Sequence, residues 1–265
     1  MEEMEYLENL ISILCSMLDS AENQQIFADQ DGISLLLILL DPRQKPKFSV
    51  LKILITILSN SPQTNIIEMF FDNGGVGIIF SILKIKCSKG KQQISQSEKD
   101  EMILEVICLL FDHCKDTYLL RLMMKFSEKS FEYSEHLIET FIDTYKLVEE
   151  QRKQQTLELQ DKFQQLEAKE LEMMKNLNYL DMLECGLGFL QTVSRIIWYL
   201  LFMNRDTSDF IVKIFRRQNL ELRIIEKIIS EWFSEFEENS LNSDAFEFFE
   251  SSLAKFDKLF LTNNK

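Results

Sequence analysis

Two stretches of this chain repeat one another, and that repeat limits the fold more than any other feature. Ile26–Leu40 reads IFADQDGISLLLILL, and Met69–Leu83 reads MFFDNGGVGIIFSIL. With Gly32 set on Gly75, Phe27 meets Phe70, Asp29 meets Asp72, Ile33 meets Val76 and Leu40 meets Leu83, at an offset of 43 residues. A period of this length belongs to units that cannot bury their apolar face alone and must stack on a neighbour. In each copy an apolar helix ends near the phenylalanine, Asp-x-x-Gly makes a corner, and a second apolar helix begins.

The repeat decides how the cluster FFDNGGVG is read. Three glycines in four residues suggest a phosphate cradle. Such a loop requires G-x-x-x-x-G-K-[ST], or a strand ahead of G-x-G-x-x-G. Gly74, Gly75 and Gly77 have neither the lysine nor the spacing, and IIEMF before them continues a helix. The expectation is that Gly75 supplies a positive φ or a close approach at a helix–helix corner.

A matching helix precedes each corner. Leu7, Leu10, Ile11, Leu14 and Met17 recur at helical spacing with Ile13 apolar on another face, and Val50, Ile53, Leu54, Ile57 and Leu58 follow the same rule. Glu98–Phe126 forms a third, degenerate unit, with Met102, Ile103, Val106, Ile107 and Leu110 and then Tyr118–Phe126 as its stripes. Between units two and three, KIKCSKGKQQISQSEK reads as an exposed loop. Only seven glycines and three prolines occur in 265 residues, too little turn chemistry for a barrel or sandwich. The expected fold is an all-α, armadillo/HEAT-like helical solenoid with a helical C-terminal extension. Residues 1–130 hold the repeats, 131–180 a long polar helical segment, and 181–265 a C-terminal helical region packing on the solenoid.

In the polar segment Leu159, Phe163, Leu166, Glu170, Met173, Leu177 and Leu180 trace a short heptad seam broken by Glu170. It reads as one long helix with a solvated face, or as a coiled-coil contact with another chain. Gly186 and Gly188 are expected to let helices pack closely. Arg205–Gln218 and Asn219–Glu238 read as amphipathic helices. The tail DAFEFFESSLAKFDKLFL places Phe246, Phe249, Leu253, Phe256 and Phe260 on one face of a final helix.

Little here points to a reaction. There are two histidines, His113 and His136. The cluster FDHCKD brings Asp112, His113 and Cys114 together in sequence. Neighbours on a helix diverge by about a quarter-turn, so they cannot converge on one metal or reacting atom. The cluster is expected to be a helix-end surface feature, and His136 a surface residue. Five cysteines without C-x-x-C spacing fit a reducing compartment rather than a disulfide framework. The start MEEMEYLENLISIL lacks the basic region of a signal peptide, and no apolar run approaches a spanning length. No catalytic residue, cofactor, metal or small-molecule substrate is expected, and no membrane.

The net charge of −14 disfavours broad phosphate-backbone binding and favours basic partners. Glu231–Asp257 holds eight carboxylates against Lys255 alone. Glu231, Glu235 and Glu238 lie along one helical face, where like charges cost stability that a basic partner would offset. These three are the expected partner-binding residues. Arg43, Lys45 and Lys47, then Lys84–Lys91, then Arg216, Arg217 and Arg223 are scattered among turns without interleaved aromatics. Direct RNA contact is therefore a minor reading.

Several segments taken together resemble the beta-catenin-like protein 1 family of nuclear, spliceosome-associated armadillo proteins. They are Tyr6–Leu40, RLMMKFSE (Arg121–Glu128), LECGLGFLQ (Leu183–Gln191) and RIIEKIISEW (Arg223–Trp232), in the family's order and matching its C-terminal half. The resemblance implies a nuclear, non-enzymatic adaptor in pre-mRNA splicing. Its setting would be the complex containing the Prp-nineteen ubiquitin ligase and a Myb-domain splicing factor. Its partners would be splicing factors with basic, nuclear-localisation-like segments. The family's N-terminal part, with its import signal and first units, has no counterpart. The asparagine that clasps peptides in importin-type repeats is also absent, since Ile13, Thr56 and Leu109 stand at those positions. No binding residue is carried over from the family.

A cytoplasmic armadillo or HEAT adaptor unrelated to splicing is the alternative reading. The helix Leu7–Leu18 also shows an apolar face that a terminal repeat normally covers. Either upstream repeats or self-association through that face is expected.

Overall fold

The computed structural model describes residues 2–41, 43, 47–60, 64–86, 94–162, 177–235 and 243–261, and among these there is helix and turn but no strand. The chain divides into two compact units. Unit 1 is Met1–Met124 with Phe236–Lys255, and unit 2 is Lys125–Glu235 with Phe256–Lys265.

Unit 1 repeats a three-helix pattern. The first copy is α1 (Glu2–Leu18), α2 (Ala21–Asp29) and α3 (Gly32–Leu39), and the second is α4 (Lys47–Ser59), α5 (Thr64–Asp72) and α6 (Gly75–Leu83). The third keeps α7 (Gln96–His113) and α8 (Asp116–Ser127). The leading helices are successive neighbours: α4 packs on α1 and on α7. That stacking is why α4 is apolar over a wide arc, with Val50, Leu51, Ile53, Leu54, Ile57 and Leu58 all buried. Buried Phe70, Phe71 and Phe80 lie in the same core, each worth roughly 1.5–3 kcal/mol of transfer free energy. α14 (Ser243–Leu253) returns to pack on α7, and Lys115 pairs with Asp244 there.

The Asp-x-x-Gly corners are structural, with their tasks divided differently from the expectation. The left-handed residue is Asp31 (φ 59°) in the first corner and Gly74 (φ 81°) in the second, each at the start of the following helix. Gly75 supplies the close approach alone: a Cβ there would lie 2.5 Å from Phe70 Cε2, as one at Gly32 would lie 2.6 Å from Phe27 Cδ1. At α7 the start is fixed by a capping box. Ser95 Oγ accepts from the Glu98 N–H at 3.1 Å, and the Glu98 carboxylate accepts from the Ser95 N–H at 2.7 Å.

Lys99 is fully buried one turn into α7. Its ammonium donates to the carbonyls of Leu83 (2.7 Å) and Ile85 (2.8 Å) and stands 2.9 Å from Asp100 Oδ1. It supplies donors to carbonyls that the end of α6 leaves without intrahelical partners.

Unit 2 is built around α11 (Leu187–Met203), against which α9 (Glu132–Lys162), α12 (Arg205–Arg217) and α13 (Arg223–Glu235) pack. Trp198 and Tyr199 are buried at its centre. Phe131 stacks on Phe210 at 4.5 Å, Phe256 on Trp198 at 5.1 Å, and the Arg195 guanidinium lies 4.4 Å over Trp232. A short helix, α10 (Leu177–Glu184), leads into α11 through Gly186, whose φ is +102°. A Cβ at Gly186 or Gly188 would meet nothing nearer than 3.6 Å. Gly186 is thus a turn residue rather than the close-packing one expected.

One further expectation changes. The C-terminal tail is not one helix: α14 ends at Leu253, and Phe256 and Phe260 belong to unit 2 while Phe249 is buried in unit 1. Of the polar segment, residues 132–162 form the 31-residue α9, while most of the heptad seam, Phe163 to Met173, lies outside the described residues, and so does the Leu159 side chain. Leu177 and Leu180 at its end are exposed.

Candidate interaction surface

The repeats of unit 1 are tied to each other by side chains reaching about one period along the chain. Asn60 Nδ2 donates to Asp19 Oδ1 at 3.1 Å, and Asn65 Nδ2 donates to Gln25 Oε1 at 3.1 Å. Arg121 donates to the Phe71 carbonyl at 3.2 Å, and Tyr118 OH lies 3.3 Å from Asp72 Oδ2. These polar groups, just past the ends of α1 and α4 and on α2, α5 and α8, hold neighbouring repeats in register.

The row where importin-type repeats carry asparagine is occupied as the sequence states. Ile13 is exposed, Thr56 and Leu109 are half-buried, and the Thr56 hydroxyl donates to the Lys52 carbonyl at 3.0 Å. Such a row offers no side-chain amides to clasp a peptide backbone. What the surface of the first repeat offers is charge. Glu5, Glu8, Asp19, Glu22, Asp29 and Asp31 are all exposed, and no lysine or arginine precedes Arg43. The sequence reading placed its acidic emphasis at the C-terminal end and passed over this segment. A running charge count would have found it.

Of the three acidic residues expected to meet a partner, Glu231 is described in full. Its carboxylate accepts from Arg152 of α9 at 2.7 Å, with Lys227 at 3.8 Å. A cation from the same unit therefore already offsets the charge that a partner was expected to neutralise. Glu235 ends α13 with its side chain outside the described residues, and Glu238 lies wholly outside them.

FDHCKD sits at the end of α7, as expected, but not on the surface. Asp112 and Cys114 are buried and His113 is half-buried. Burial pushes the Cys114 thiol up to about 12, which removes it from nucleophilic chemistry near neutrality. His136 is likewise half-buried rather than a surface residue. Among the described residues no three His, Cys, Asp or Glu side chains are grouped to hold a metal, and no single helix is long and apolar enough to cross a membrane.

Residues 1–230 match the sequence profile of the family described as Catenin-beta-like, Arm-motif containing nuclear. The chain belongs to that family. Among curated proteins it is similar to beta-catenin-like protein 1 of Mus musculus, 24% identical over 87% of this chain and 41% of that protein. It is similar also to beta-catenin-like protein 1 of Bos taurus, 25% identical over the same shares, and to the beta-catenin-like protein 1 homolog of Schizosaccharomyces pombe, 27% identical over 52% of this chain and 24% of that one. The chain thus spans about two fifths of the length of the mammalian relatives.

The resemblance drawn from short segments therefore holds, and each segment has a place in this catenin-beta-like chain. RLMMKFSE is the body of α8, LECGLGFLQ the corner between α10 and α11, and RIIEKIISEW the opening of α13. All are helix interiors or corners. The all-α Arm-type fold and the nuclear description belong to the family as a whole.

Proposed function

We propose that this chain is a non-enzymatic scaffold of the pre-mRNA splicing machinery, acting in the nucleus within a Prp-nineteen-type complex by recognising basic segments of splicing factors. The observation that carries the reading is the match of residues 1–230 to a nuclear Arm-motif family. The unbroken acidic character of the first repeat supports it, because basic segments are drawn to such a surface.

Affinity capture of the tagged chain from cells, with the eluted proteins identified, tests the setting. Splicing factors should co-elute. If trafficking proteins or small GTPases co-elute instead, the chain is a cytoplasmic adaptor. Isothermal titration with a basic splicing-factor peptide tests the mechanism: affinity should fall as salt rises, because surface charges are screened beyond about 10 Å at 0.1 M. Salt-independent affinity contradicts the electrostatic part, and filter binding of RNA at physiological salt would move the chain to a different class.

A further inference from the structure

The end of α12 gathers three cations. Arg216 and Arg217 lie in its last turn, Lys213 stands three and four residues before them, and all three are exposed. At about 100° per residue, the arginines fall on either side of Lys213, about 60° and 40° round the helix. Each is thus a surface neighbour of the lysine, with about 5–6 Å between Cβ atoms. Read along the sequence, the two arginines are scattered among turns, whereas the helix sets them beside a lysine in one patch.

Other cations of unit 2 are engaged within the fold. Arg152 and Lys227 meet Glu231, Arg195 lies over Trp232, and Arg223 stands 3.6 Å from Asp257. The side chains of Lys213, Arg216 and Arg217 have no hydrogen-bond or ion-pair partner among the described residues. Cations at a helix C-terminus also answer the macrodipole. That task needs charge alone, which lysine supplies as well as arginine. Two planar guanidinium forks beside an ammonium suit, in addition, a group that presents several acceptor oxygens.

The size of the patch selects among anions. RNA presents its phosphates in series and is held by many cations along its track. Here exposed Asp209, one turn before Lys213, and exposed Glu221, four residues past Arg217, close the patch at both ends. A single phosphate ester on a side chain fits within those bounds. It carries up to about two negative charges and three strong acceptor oxygens, which three cations can meet.

We propose that Lys213, Arg216 and Arg217 of α12 bind a phosphoserine or phosphothreonine of a partner protein. The arginines take the phosphate oxygens in paired hydrogen bonds, and the lysine adds its charge. The site does not depend on the splicing assignment.

The test uses the whole chain and labelled peptides of glycine and alanine around one central position, occupied by phosphoserine, serine or glutamate. Fluorescence anisotropy should show saturable binding of the phosphoserine peptide, at least about tenfold tighter than of the other two. The double variant Arg216→Lys with Arg217→Lys keeps the charge at the helix end and removes the forks. It should weaken that binding about tenfold or more and leave the melt followed by circular dichroism unchanged. No saturable binding of the phosphoserine peptide, equal binding of the glutamate peptide, or undiminished binding by the double variant overturns the proposal. Oligouridylate binding more tightly than the phosphoserine peptide, and losing affinity in the double variant, would assign the patch to RNA and overturn it as well.

Discussion

The ring of Phe70 lies directly against the α-carbon of Gly75, so close that a methyl group on Gly75 would meet ring atoms at 2.5 to 2.7 Å. The same pairing recurs one period earlier between Phe27 and Gly32. The phenylalanine ends one helix, the glycine begins the next, and the missing side chain lets the ring fill the corner. This contact, more than the left-handed residue beside it, accounts for glycine recurring at the position.

Gly75→Ala should therefore destabilise unit 1 by about 1–3 kcal/mol, the usual cost of forcing extra volume into a packed core. Phe70 is buried and has no room to swing away. Two residues on, Gly77 has open space where a Cβ would go. Gly77→Ala should stabilise by roughly 0.5–1 kcal/mol, because alanine is the better helix former. Thermal melts by circular dichroism should thus move in opposite directions for two substitutions in one glycine cluster. Melting points that fall together would contradict the packing account.

Lys99→Met should cost about 3–5 kcal/mol, the penalty for breaking a buried ion pair from one side. The loss leaves Asp100 without its cation and the Leu83 and Ile85 carbonyls without the ammonium. Adding Asp100→Asn to Lys99→Met should recover part of that loss, since the carboxylate charge is then gone. Denaturant titration of both variants is the check. A double variant no more stable than the single would show that the ion pair is not the source of the cost.

The helical repeats were legible because stacking and sequence period are linked: Phe27, Gly32, Phe70 and Gly75 could be superposed before any coordinate was known. The return of α14 to α7, and the transfer of Phe256 to unit 2, were not. Spacing places Phe249 and Phe256 on one face only if the helix continues, and nothing in ESSLAKFD marks its interruption. Glu231 shows a related limit of local pattern. Its own helix shows like charges, while the cation that answers them, Arg152, comes from 79 residues away. Local pattern reveals which face is charged, not what lies opposite.

Between α8 and α9 three successive non-glycine residues, Lys129, Ser130 and Phe131, adopt φ of 50°, 59° and 69°. Left-handed backbone costs an L-residue about 1–2 kcal/mol. Ser130 is exposed, so Ser130→Gly removes the strain without opening a core. Glycine is more costly to order from the unfolded chain, which offsets part of the gain. A net stabilisation of up to about 1 kcal/mol is expected, visible as a raised melting temperature. A lowered one would mean that the serine backbone sits there without strain.

Cys114 gives the last expectation, in reactivity and in pH. Burial raises its thiol from an ordinary 9.0 to about 12. As pH rises the unfolded chain releases this proton first, near 9, while the folded chain holds it until about 12. Stability from this group is therefore complete below pH 9 and declines from there to about 12. Replacing Cys114 with alanine should flatten that part of the profile, apart from any constant loss due to the cavity. In the folded chain at pH 8, iodoacetamide should modify the half-buried Cys15 and Cys185 well before Cys114, with denaturant removing the difference. Rapid alkylation of native Cys114, read by peptide mass spectrometry, would show that the end of α7 opens far more readily than its burial implies.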